Sequence, residues 1–94
     1  MNAWIAALGR ATTEAEVVAT ARDYCSLFSP RELEVFPEDC RVICIEGSAD
    51  IPRYRDKLAR YIEMVGDRLS DPAKVVELVR CLEVADARLG TLKS

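Results

Sequence analysis

The stretch Pro37–Pro52, PEDCRVICIEGSADIP, decides the fold class of this chain. It is bounded by prolines, and it holds the apolar run Val42-Ile43-Cys44-Ile45 ahead of Gly47. Arg41 to Ile45 is rich in β-branched residues, which favour extended backbone. A strand leaves its amides to a neighbour, and no second strand can be read in the sequence. The connector over 37–50 is therefore expected to lie over helices, the alternative being an edge that pairs with its own copy in a dimer. The fold expected is all-α: one domain over 1–94, a small bundle of four to five helices with an extended central connector and a C-terminal antiparallel helical hairpin.

Beyond the connector the spacing turns helical. Ile51, Tyr54, Leu58, Tyr61, Ile62, Val65 and Leu69 mark one face of a helix over 51–69, with Ser48 or Asp50 as its cap and Pro52 in the first turn. Arg53, Lys57 and Arg60 form a basic strip on its outer side, where Asp56 and Arg60 can pair. Asp71-Pro72 then starts a helix over 72–89 with Val75, Leu78, Val79, Leu82, Ala85 and Leu89 inward, and Gly90 is read as its stop. The break between the two is short, which folds them back as a hairpin.

Before the connector, Ser29-Pro30-Arg31-Glu32 opens a short helix over 30–36 that Pro37 must end. Thr13 and Glu16 have capping-box spacing for a helix over 13–28, with Val17, Ala21, Tyr24, Cys25 and Phe28 on its stripe and Val18 and Leu27 widening it. A short N-terminal helix over 3–8 presents Trp4, Ile5 and Leu8, and Gly9 is read as its stop. A helix this short is marginal alone and must dock on the core or on a partner.

Ser29 to Phe36, SPRELEVF, resembles the opening of the DNA-binding domain of quorum-sensing-type transcriptional activators. The resemblance implies a helix-turn-helix downstream, yet the family's apolar helical run is replaced here by Pro37. The uninterrupted helix over 51–69 leaves no turn and recognition helix. The charge balance of 13 basic against 16 acidic residues, net −3, also opposes a nucleic-acid function, which calls for a basic surface. A transcriptional regulator is thus the weakest of the functional readings.

The apolar stretch in MNAWIAALGR is too short to span a membrane and lacks the basic start of a signal peptide, so a cytoplasmic protein is expected. Its four cysteines would stay reduced there. Histidine is absent, which removes the commonest general base and the usual catalytic metal ligand. The adjacent carboxylates Glu38 and Asp39 read as a solvated turn. No enzyme activity and no cofactor are expected. Cys40 and Cys44 are close enough in sequence to share an ion or act as a thiol pair, whereas Cys25 and Cys81 sit alone on predicted helices.

What is left over is apolar. Val76 and Val84 fall outside the stripe of the last helix, the N-terminal helix needs a surface, and the connector carries Val42, Ile43 and Ile45. Trp4, Ile5, Leu8, Val42, Ile43, Ile45, Val76 and Val84 form the candidate interaction surface, for a protein partner or for a homodimer. The function expected is a small non-catalytic accessory or protein-interaction domain, the alternative being a redox sensor or metal-binding protein using Cys40 and Cys44.

Overall fold

A computed structural model describes residues 2–93. Its helices are α1 (Ala3–Arg10), α2 (Glu14–Cys25), the single turn α3 (Glu38–Arg41), α4 (Asp50–Val65) and α5 (Pro72–Lys93). Short 3₁₀ turns at Pro30–Leu33 and Gly66–Arg68 complete the order, and no strand occurs among the described residues. The protein is a small all-α bundle. No helix of the described residues is long and apolar enough to cross a membrane.

The longest helix, α5, is the axis of the bundle and packs against α1, α2 and α4. Its residues Val75, Leu78, Leu82, Ala85 and Leu89 repeat at helical spacing and are all buried. Around them close Leu8, Val17, Leu33, Phe36, Ile51 and Leu58. Each such side chain contributes roughly 1.5–3 kcal/mol when fully removed from water. Among the described residues no polar or charged residue is buried.

The helix starts follow their caps. Thr13 accepts from the amide of Glu16 at 3.1 Å, while the Glu16 carboxylate reaches past it to the Thr12 amide and hydroxyl, at 3.3 and 3.1 Å. Ser29 accepts from the amide of Glu32, and Asp71 from that of Lys74 at 3.2 Å. Lys74 also lies 2.8 Å from the Glu32 carboxylate and 4.9 Å above the Phe28 ring, so the start of α5 is fastened to the 3₁₀ turn. That ammonium holds the Glu32 carboxyl below its ordinary range.

The helix ends differ from expectation. Gly9 and Gly90 lie inside α1 and α5, which run on to Arg10 and Lys93, and no described glycine has positive φ. Glycine permits a left-handed stop without imposing one. Half-buried Leu92, packed on the core, carries α5 past Gly90. In α2 the helix ends at Cys25, which turns Leu27 outward instead of widening the stripe. In the segment over 30–36 only Pro30–Leu33 is helical, as a 3₁₀ turn that buries Leu33, and Phe36 is buried just beyond it; α4 ends at Val65 before Gly66–Arg68.

The connector is partly helical and otherwise a strap. Its first residues form α3, and Val42 to Glu46 then run without regular structure. Side chains supply part of the hydrogen bonding that a second strand would give. The Ile45 carbonyl accepts from Nε of Arg22 at 2.8 Å, and the Cys44 amide donates to the Tyr54 hydroxyl at 3.4 Å. The amides of Glu46 and Gly47 donate to the Asp50 carboxylate at 2.9 and 3.2 Å. Asp50 thus reaches back to the strap, and neither it nor Ser48 caps α4, whose cap position is Ala49. Ile45, 2 % exposed, pins the strap to the core.

Candidate functional site

The antiparallel pair α4 and α5 leaves an open groove of about 430 Å³ on its outer side. Ala59, Ile62 and Glu63 line one wall, and Val76, Val79, Arg80 and Glu83 the other. Both sets recur at spacings of three and four, which puts them on one face of their helices. Val79 is buried and Ala59 and Ile62 are half-buried, forming an apolar floor. Val76 stands above it with 49 % of its surface in water. Around the floor are Glu63, Arg80 and Glu83, and none of them makes an ion pair within the described residues.

Arg80 also lines a neighbouring cleft of about 410 Å³ with Asn2, Ile5 and Glu77, so one surface continues from α1 across α5 to α4. The candidate surface residues divide accordingly. Val76 and half-buried Ile5 belong to this surface. Val84 is half-buried against the core, and Trp4 sets its ring edge-on to Tyr24 with centroids 5.6 Å apart. Val42 is 65 % exposed on the strap, with Ile43 half-buried beside it. Two expectations fail: Leu8, 0 % exposed, and Ile45 are core residues and present nothing to a partner. Each occupies the side of its segment that faces the bundle.

Two of the three cations in the basic strip of α4, Arg53 and Lys57, are paired within the chain. Arg53 lies 3.0 Å from Asp50 and over the Tyr54 ring, and Lys57 lies 2.6 Å from Asp39. Lys57 holds the Asp39 carboxyl below its ordinary value, so this acid of the expected Glu38–Asp39 turn is tied to α4. Asp56 pairs with its neighbour Arg55 at 3.0 Å rather than with Arg60. Arg55 also reaches Asp86 across the hairpin, which fixes the register of α4 against α5.

The four thiols differ in exposure. Cys25, Cys40 and Cys81 are buried and Cys44 is exposed, all four in the free form. Burial pushes Cys25 up to about 12 and Cys81 up to about 11. Burial also raises Cys40, and the Glu46 carboxylate, 3.6 Å from Sγ, raises Cys44. Thiols so shifted are neutral near pH 7, whereas the thiolate is the nucleophile and the metal ligand. No three His, Cys, Asp or Glu side chains of the described residues are grouped to hold a metal ion.

Reasoning from sequence placed Val76 outside the stripe but missed its neighbours. Ile62 and Val79 read as inward because they extend the apolar faces of α4 and α5. The missed signal is the width of those faces, since two crossing helices cover only part of so broad an arc. Arg80 and Glu83 gave no signal, because exposed charge is the ordinary state of a helix surface. No protein family, no curated protein and no solved structure matches the chain.

Proposed function

We propose that the chain is a small non-catalytic cytoplasmic accessory domain that acts by docking a protein on the α4–α5 groove. The observation that carries this reading is Val76, half in water over an apolar floor and beside three charges that have no partner among the described residues. A groove between two antiparallel helices has the width and ridge pattern to receive a third helix. Apolar area at its floor supplies affinity, and the surrounding charges select the partner and its register. The absence of histidine and the neutral state of the four thiols support the non-catalytic part of the reading.

A photo-crosslinking side chain placed at Val76, with a second version at exposed Ala19 of α2 as control, tests the reading in cells that make the protein. Discrete adducts are expected from position 76 alone, and the further change Ile62→Asp in the groove floor should remove them. Equal labelling from both positions, or none from position 76, would refute docking at this groove.

A further inference from the structure

We infer that the occupant of the α4–α5 groove is a second copy of this chain, seated by antiparallel pairing of α5 with its copy so that Arg80 of each protomer meets Glu83 of the other. The inference rests on the reading of the groove as a docking surface and adds the identity of what docks. Arg80 and Glu83 are exposed on successive turns of one ridge of α5, opposite in charge and without ion-pair partners among the described residues. A two-fold axis crossing the ridge midway between them makes every contact reciprocal, so one arrangement satisfies both charges twice. The same axis sets Val76 against Ala87, also exposed on that ridge, and the small side chain of Ala87 leaves room for Val76 to approach.

Charge distinguishes this occupant from others. A groove lined by a single sign would repel its own copy and select an oppositely charged protein. This one carries both signs: Glu63 stands on the α4 wall, and on the α5 wall Arg80 and Glu83 follow in the order that matches its own reverse. The net charge of −3 opposes association only weakly, because exposed charges beyond about 8 Å are largely screened at physiological salt.

Sedimentation equilibrium on the purified full chain, with R80E and E83R, tests the pairing. The wild-type chain should dimerise. Each single variant sets like charges against each other twice and should weaken the dimer by about tenfold or more. The two variants mixed should recover a one-to-one heterodimer, because the carboxylate of R80E then faces the introduced guanidinium of E83R. Circular dichroism checks that both variants stay folded. A wild-type chain that is monomeric up to about 1 mM would overturn the self-pairing. Adducts from position 76 to a different protein would in that case leave the docking reading standing. A dimer indifferent to both single variants, or a mixture that fails to recover, would also overturn it.

Discussion

The guanidinium of Arg22, on α2, donates its Nε to the carbonyl of Ile45 at 2.8 Å, joining the strap to a helix 23 residues earlier. This bond stands in for a neighbouring strand, which the described residues lack, since it serves a carbonyl of the extended segment from a helical side chain. Arg22→Met keeps the apolar stem of the side chain and removes the donor. We expect it to cost about 0.5–1.5 kcal/mol, the net range for a hydrogen bond, because Arg22 is exposed and water competes for the carbonyl; the loss is read as a lowered urea midpoint. An unchanged midpoint would mean that water serves the carbonyl equally well.

Tyr54 holds the adjacent residue, accepting from the Cys44 amide. Tyr54→Phe should cost about 1 kcal/mol, because the ring stays buried and only the hydroxyl is lost. The two anchors act on neighbouring residues of one strap, so loss of the first should loosen the second. The double variant should therefore be less destabilised than the two single changes together, by about 0.5 kcal/mol or more. Strict additivity would show that the anchors hold the strap independently.

Much of the helical frame was legible in the sequence because its signals are local. Thr13, Ser29 and Asp71 cap as their spacing implies, and the inward residues of α5 from Val75 to Leu89 are buried together. The ends were less legible, since whether Gly9 or Gly90 stops a helix depends on what lies beyond it in space. The same limit applied to the surface. In sequence Leu8, on a short helix, and Ile45, on an irregular segment, look as free to meet a partner as Val76, which falls outside the stripe of α5. Only the packing of α1 on α2 and α5, and of the strap on Arg22 and Tyr54, separates the buried from the exposed. The groove was hidden for a further reason: it belongs to two helices, and neither stripe reports what the other leaves uncovered.

Leu8 carries the docking of α1, being fully buried on a helix of 8 residues. Leu8→Ala should cost about 2–5 kcal/mol, against a total of about 5–14 kcal/mol for a chain of this size. A helix so short does not hold by itself, so α1 should detach before the rest unfolds. Trp4, the single tryptophan, reports this directly. Its emission should shift to the red at denaturant concentrations where the helical circular dichroism signal is still native. Coincident transitions would show instead that α1 unfolds with the bundle.

Cys44 is the one exposed thiol among the four and should be the one that reacts with an aromatic disulfide reagent in the folded protein. One equivalent per chain is expected promptly, and the other three only on unfolding. Its reactivity is restrained by Glu46, whose carboxylate accepts from Sγ and disfavours the thiolate. Glu46→Gln removes that charge, lowers the thiol pKa and should speed modification near pH 8. A rate that does not change would rule out control by Glu46.

The buried thiols Cys25 and Cys81 make the fold sensitive to alkali. In the unfolded chain a cysteine loses its proton near pH 8.5. In the folded protein burial raises Cys25 to about 12 and Cys81 to about 11. Above the unfolded value the unfolded chain therefore binds fewer protons than the native one, and stability must fall as pH rises. The contribution is intact below about pH 8.5, then declines by up to about 1.4 kcal/mol per pH unit for each thiol, until the folded group itself ionises. Urea midpoints at pH 7, 9 and 10 should drop progressively. Tyr24, also raised by burial, adds to the fall only at the upper end. In Cys25→Ala with Cys81→Ala the protein starts from a lower stability because two small cavities are left, yet its decline with pH should be shallower. Parallel curves for the two proteins would rule out Cys25 and Cys81 as the alkali-sensitive groups.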